Sequence, residues 1–450
     1  MQDSYRNPGP QLSDWALGIS LAVTVLLPDG PKVGLILFGL WGFYLAAARP
    51  PTASGLLKFW SANRAMSVTG LMLIFFLAIS LMLLAHQSAG ANEYEHLIPF
   101  LLFPFACLAL ASQPIRTDFF AIGAGLGGFS SGLLALAEVL HRADELPVDL
   151  LRAKGWMTQP VQFGNVCVFL SVACLVLLVT GWAGHTRLRR WVLFLGFNSA
   201  LLGAVLSGSK GSFLAFMIFA AYFFSLVMAW QLVSKKLLLK VFASLILLFT
   251  VLIVISPLSE RLKTFHGSMV TVASALSSNN FQFNLEGLTL DVSASNRLAQ
   301  YEMAVELIKL SPWTGMARQD IIEEQKRRME ASTPGFIEAT RFVHSDYFDL
   351  LLNKGLLGFA ALTGFFVSLL FALRQGGAPV ISAPSDSRGS AHQAFLLGSS
   401  ILLLLAAMGL FNVVVYRVPE MSPSLFILAC CLALLYGRKL PVTTPPTKAT

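Results

Sequence analysis

Charge is scarce in this chain. Only 12% of its 450 residues are charged against 55% hydrophobic, and the mean hydropathy is +0.68. A water-soluble body of this size carries roughly twice that charged fraction, about 25%, so a soluble globular fold is excluded and a polytopic membrane protein remains. Cysteine is sparse too. Cys107, Cys167, Cys174, Cys430 and Cys431 all fall inside apolar runs, where a structural disulfide has no role, and no pair has zinc-ligand spacing. No Asp-x-Asp or His/Glu cluster suggests a metal, and no other cofactor is expected. The net charge of +8 raises nucleic acid as a partner, but its distribution argues for membrane topology, and no nucleic-acid partner is expected. The polar start, Met1 to Ser13, does not have the form of a cleaved signal peptide.

What the chain has is apolar runs of transmembrane length. They are read at 14–28, 32–48, 66–86, 97–112, 118–138, 161–182, 191–207, 210–230, 238–256, 348–373, 393–415 and 422–437. The expected fold class is therefore an all-α polytopic membrane protein with about twelve transmembrane helices and one large, partly helical loop. Residues 1–256 would hold helices 1–9, 257–347 the loop, 348–437 helices 10–12 and 438–450 a tail. Pro28-Asp29-Gly30-Pro31 breaks the first apolar stretch into a hairpin. The fifth span carries Gly123, Gly127, Gly128 and Gly132, which favours close helix packing. Residues 376–393 read as a flexible linker.

Basic residues set the orientation. One set of short loops and tails holds sixteen Lys/Arg, including Arg187, Arg189, Arg190, Lys235, Lys236 and Lys240; the other holds six, Lys32, Arg142, Arg152, Lys154, Lys210 and Arg417. The richer set belongs in the cytoplasm together with both termini, and the long loop faces outward.

The outward minority needs a reason. Arg152 shares its loop with Asp144, Glu145 and Asp149, which could simply pair with it, as they could with Arg142. Lys210 sits in the tight break Ser207-Gly208-Ser209-Lys210-Gly211-Ser212 between two apolar spans. An ammonium there either snorkels to the interface or meets a phosphate, aided by amides at the start of the next helix. In the long loop, 293–310 reads as an amphipathic helix with Leu298, Tyr301, Val305 and Ile308 on one face, stopped by Pro312. Arg297 in its first turn opposes the helix dipole, which makes an external anion a plausible partner, although Glu302 or Asp291 could pair with it. A second helix near 318–331 pairs Glu323 with Arg327 and Glu324 with Arg328 and reads as solvated surface. His344 stands where the chain re-enters an apolar run, on the outward side, and an imidazole there can take a proton from a sugar hydroxyl. Asp346 would orient it or cap the next helix.

At these residues the chain resembles the O-antigen ligases, within the wider group that includes O-antigen polymerases and bacterial O-oligosaccharyltransferases. The resemblance rests on Ser207 to Ser212, on Asn296-Arg297 followed by Pro312-Trp313-Thr314-Gly315, and on His344-Ser345-Asp346-Tyr347 leading to Lys354-Gly355-Leu356-Leu357-Gly358. Pro160-Val161-Gln162-Phe163-Gly164 also fits, as the start of the span after the family's Arg-bearing loop. The family often has Arg where Lys210 stands and Asn where Asp346 stands; Lys keeps the charge but loses a bidentate fork.

The resemblance implies a GT-C-like architecture and a metal-independent, inverting glycosyltransferase at the periplasmic face of a Gram-negative inner membrane. The donor would be a glycan on undecaprenyl diphosphate and the acceptor a hydroxyl of lipid A–core, with membrane lipids around both. His344 would be the base, and Lys210, Arg297 and Arg152 would bind the diphosphate. A sibling polymerase or protein O-oligosaccharyltransferase shares the donor chemistry; the short C-terminal region favours the ligase. A lipid-linked-sugar flippase is the rival of another class, disfavoured because the cations sit at the outer rim and not at mid-membrane.

Overall fold

The computed structural model describes residues 11–48, 57–87, 94–112, 116–142, 152–180, 186–229, 292–331, 343–377, 385–411, 414 and 417–436. Its elements are α1 (Leu12–Ala22), α2 (Gly30–Ala48), α3 (Arg64–His86), a 3-10 turn (Glu95–Leu97), α4 (Ile98–Ala111), α5 (Thr117–Arg142), α6 (Pro160–Thr180), α7 (Arg187–Leu206) and α8 (Lys210–Ala229). They continue as α9 (Val292–Leu310), α10 (Arg318–Ala331), α11 (Asp346–Gly377), α12 (Ser385–Phe411) and α13 (Val418–Tyr436). Among the described residues, 9 helices are long and apolar enough to cross a membrane. The span expected at 238–256 lies outside the described residues.

Helix α6 is the pillar. It carries Gln162, Asn165 and Ser171, all buried, in an otherwise apolar sequence, and such polar groups belong against other helices and not against lipid. Accordingly 94% of its 18-residue window is buried, followed by 89% for α13. Helix α1 is shorter than expected. Its 11 residues rise about 16 Å, short of a hydrocarbon core of about 30 Å. Its ladder stops at Ala22, and the turns that follow reach Gly30, where Pro31 starts α2 and Lys32 pairs with Asp29 at 2.7 Å.

The glycines of α5 do what small residues do in a bilayer, where helices associate by close backbone approach. A Cβ on Gly123 would stand 2.3 Å from the Gly18 carbonyl oxygen of α1, and one on Gly127 2.3 Å from that of Leu21. On another face, a Cβ on Gly128 would stand 2.6 Å from the Gly196 oxygen of α7, and one on Gly132 2.3 Å from that of Ser199. These contacts advance together along the three helices, so α1, α5 and α7 run parallel. Arg189 and Asp118 close the α5–α7 seam at its start, with a second bond of 2.7 Å completing a bidentate pair.

Helices α9 and α10 fall where periodicity and Pro312 put them, but their faces differ from expectation. On α9 the buried positions include Ala304 and Leu307, with Tyr301 and Ile308 beside them, whereas Val305 is 42% exposed. Helix α10 is solvated on one side only. Glu324 takes both Arg327 (2.7 Å) and Arg328 (2.9 Å), while Gln319 donates to Glu323. Hydrogen bonds from these two arginines hold the Glu324 carboxyl below its usual pKa. Its other side buries Arg318, Ile321 and Gln325. The linker expected over 376–393 is also shorter, since α12 begins at Ser385; Ser and Asp directly after Pro384 are helix-starting chemistry.

Helix α11 kinks at Gly355 (φ 60°), and the kink is occupied by the segment before α10. Met316 N donates to Leu352 O at 2.6 Å and Leu356 N to Pro312 O at 2.8 Å. Gly315 (φ 70°) and Gly355 face each other: a Cβ on Gly355 would lie 2.3 Å from Trp313 O, and one on Gly315 2.5 Å from the Asn353 carbonyl carbon. Two short motifs of the sequence are thus halves of one joint. Gly355→Ala would meet both the left-handed φ and the Trp313 backbone. It should cost about 2–4 kcal/mol, read as a lowered melting temperature in detergent, while Leu356→Ala at the exposed next position stays near wild type.

Candidate active site

One end of the bundle collects the N-termini of α6, α8, α11 and α13 and the C-termini of α3, α5, α7 and α12. Gln87 after α3 donates to Asn353 O of α11 (3.2 Å), and Ala153 N donates to Leu206 O at the end of α7 (3.0 Å). Helix α8 leaves this end, since Tyr222, three turns on, bonds Ser399 halfway along α12 (3.0 Å). Helix α9 is back at it, through Tyr301. The sequence expectation of a crossing at 238–256 requires that return.

Arg152 and Lys210 are brought together. Arg152 Nε donates to Ser207 O at 2.9 Å, three residues before Lys210, which opens α8 with its side chain exposed. Glu138 at the end of α5 accepts Lys154 N (3.0 Å) and Gly155 N (2.8 Å) and pairs with Arg142 at 3.1 Å. Arg142 is therefore a strut of the loop that presents Arg152; Asp144, Glu145 and Asp149 lie outside the described residues. Ser209 caps α8: its Oγ accepts Ser212 N at 3.4 Å, and its own N–H donates to Ser207 Oγ at 3.2 Å.

His344 is the non-glycine residue with positive φ, 58°, among the described residues. A left-handed non-glycine residue costs about 1–3 kcal/mol and persists only where its surroundings over-determine it. Here they do. Asp349 accepts Val343 N with both oxygens at 3.2 Å, Ser345 Oγ donates to Gly409 O at 3.1 Å, and Tyr301 Oη reaches His344 O at 3.4 Å. Asp346, whose role the sequence left open, accepts Val414 N at 3.0 and 2.9 Å, and so ties the chain between α12 and α13 to the start of α11. The imidazole is half-buried, at the rim of the bundle.

The Arg297 side chain lies outside the described residues. Its backbone stands one helical turn before Tyr301 on α9, and residues four apart share a helix face.

Several buried ionisable groups escaped the sequence reading. Arg318 (7% exposed) and Arg417 (8%) both act electrostatically on Asp349, and Arg417 also acts on Glu420. Lys354 is buried as well. Asp349 stands inside the apolar run 348–373 and Glu420 two residues before the run 422–437, where one carboxylate is a weak signal in sequence and a functional marker in structure. Glu420 Oε1 accepts Asn165 Nδ2 of α6 at 2.9 Å; Asn165 Oδ1 accepts the Ser212 hydroxyl, and Ser212 meets Ser209 at 2.6 Å. Beside the His344 turn an apolar cavity of about 350 Å3 runs between α8, α11 and α12, lined by Tyr222, Tyr347, Phe359, Phe366 and Leu402, with Asp346 at its head.

The site thus joins a strained histidine turn, an exposed lysine on a capped helix start with an arginine against it, and an apolar cavity. Residues 191–363 match a family model described as O-Antigen ligase, a segment that contains Lys210, Arg297 and His344. Comparison with curated proteins gives no match. The similarity to the O-antigen ligase family is thus one of residues 191–363, the segment that holds the start of α8 and the start of α11.

Proposed function

We propose that the chain is an O-antigen ligase: it moves a glycan from undecaprenyl diphosphate to a sugar hydroxyl of lipid A–core at the periplasmic face of a Gram-negative inner membrane, with both termini cytoplasmic. The observation that carries this reading is the clamped, left-handed His344 at the bundle end that also carries Lys210 and Arg152. Four bonds spent on holding one strained backbone indicate that the position of its imidazole matters.

In this reading the acceptor oxygen attacks the anomeric carbon and His344 takes the hydroxyl proton. The bond from that carbon to the phosphate oxygen breaks on the opposite face, inverting the configuration. The leaving group is a diphosphate whose charge grows as the bond breaks, so cations placed in advance lower the barrier. Lys210 and the first amides of α8 serve one phosphate, with Arg152 and Arg297 completing the set. These cations do the work a divalent ion would otherwise do, which makes the mechanism metal-independent. The apolar cavity beside Asp346 suits the proximal prenyl units of the donor. The residue pattern supports the donor chemistry more than the acceptor: a growing glycan or a protein would meet the same base.

Three outcomes test this in protein reconstituted with purified lipid-linked glycan. His344→Asn keeps a side chain that tolerates the left-handed backbone and removes the base; transfer should fall by about 10²–10⁴-fold with the melting temperature unchanged, and wild-type transfer would exclude His344 as base. Lys210→Ala and Arg297→Ala should each weaken undecaprenyl diphosphate binding while leaving the acceptor KM alone. Offered lipid A–core, a second repeat unit or a protein in the presence of EDTA, the enzyme should use lipid A–core; preference for either of the others, or loss of transfer restored by a divalent ion, would overturn the corresponding part of the reading.

A further inference from the structure

Between the Lys210 turn and the His344 turn lies polar material that contacts neither solvent nor lipid. Asn165, Ser212 and Glu420 are each 0% exposed and Ser209 4%. Polar side chains are costly in such an interior unless fully paired, and an apolar substitute of similar shape would pack at least as stably. Yet three helices each contribute: Glu420 from α13, Asn165 from α6, Ser212 and its partner Ser209 from the start of α8. Their direction is fixed. The Asn165 amide donates to the carboxylate and accepts from the hydroxyl, and Ser212 and Ser209 together set the first turn of α8, the turn that carries Lys210.

The same anchor reaches the other half of the site. Glu420 N and Met421 N bond Arg417 O at 3.1 and 3.0 Å, and Arg417 N bonds Val414 O at 3.1 Å. Val414 N is held by Asp346, and the buried Arg417 guanidinium acts on the carboxylates of both Glu420 and Asp349. Asp349 in turn holds Val343, next to His344. A displacement reaction needs its leaving-group contacts and its base at a set separation on opposite sides of one carbon, and a misplacement of about 1 Å costs about 10²-fold.

We propose that Glu420 and Asn165 are positioning residues: through Ser212 and Ser209 they fix the Lys210 turn, and through the Arg417 turn they fix its distance from the His344 turn. The proposal rests on Lys210 as a donor-diphosphate contact. Neither residue touches substrate. Their effect is on donor binding and on the rate at saturation, with the acceptor KM unchanged.

A polarity swap tests it. Asn165→Asp removes the donor that faces Glu420 and sets two carboxylates against each other. The double variant Asn165→Asp/Glu420→Gln restores one donor and one acceptor between the two positions, with that bond reversed in sense and the Ser212 bond to position 165 kept. With full-length protein in nanodiscs, the readouts are undecaprenyl diphosphate affinity, kcat, acceptor KM and melting temperature. The single variant should bind undecaprenyl diphosphate about tenfold more weakly and turn over more slowly, with the double variant back within about threefold of wild type. Folded Asn165→Asp with wild-type donor affinity and kcat would overturn the proposal, as would a double variant that recovers melting temperature but not donor affinity. If Asn165→Asp does not fold, Ser212→Ala, which deletes one hydroxyl, carries the same expectation, and unchanged donor affinity there overturns it equally. A wild-type protein that binds no undecaprenyl diphosphate would refute the function itself. An active wild type with indifferent variants would refute the positioning role alone.

Discussion

A carboxylate carried into the interior of a helix bundle has to be met by a partner, and the bundle end of this protein is arranged around that requirement. Glu420 and Asp349 come from α13 and α11, which are not neighbours in sequence, and Arg417 lies within electrostatic reach of both. Removing one partner of such a group costs more than the intact pairing contributes, because a buried polar group is then left unsatisfied. The helix starts that carry these groups are therefore not free to slide. The cap of α8 and the His344 turn are both fastened to helices that this cluster joins.

Strain and clamp make sense together. A histidine in the left-handed region would relax if its flanking residues let it, and Val343, Ser345 and Asp346 are each tied to a different partner. Each such hydrogen bond contributes about 0.5–1.5 kcal/mol, so the set together matches the about 1–3 kcal/mol of backbone strain. The Gly315–Gly355 joint supports the same turn from below, since it seats the segment between α9 and α10 against the first turns of α11.

How much of this was legible in the sequence depended on the kind of signal. Helices were, because an apolar run or a proline stop acts over many residues; α10 was bounded correctly from its charge pairs alone. Lys210, Arg152 and His344 stood out in the sequence as oddities at span boundaries, and the structure links two of the three through Ser207. Arg318 was not found, because a basic residue opening a helix full of ion pairs looks like more surface, and only the packing of α9 and α11 against it shows otherwise. Glu420 and Asp349 were hidden for a different reason: one carboxylate barely changes the average of a twenty-residue apolar window. The φ of His344 was beyond any residue pattern, since it is imposed by tethers from Tyr301, Gly409 and Val414.

The glycine seam between α5 and α7 bears on how the protein is made. Helix α7 is the least apolar of the described spans, opens with Arg187, Arg189 and Arg190 and carries Asn198 within it. Alone in the bilayer such a segment has a weak hold, whereas α6, which precedes it, has twice its mean hydropathy, 2.4 against 1.2. Backbone contact with α5 gives α7 a surface to dock on, and the Asp118 carboxylate gives one of its arginines a counter-ion. The Lys210 turn, which follows α7 directly, therefore takes its place from contacts made by α5, a helix that ends 68 residues before it.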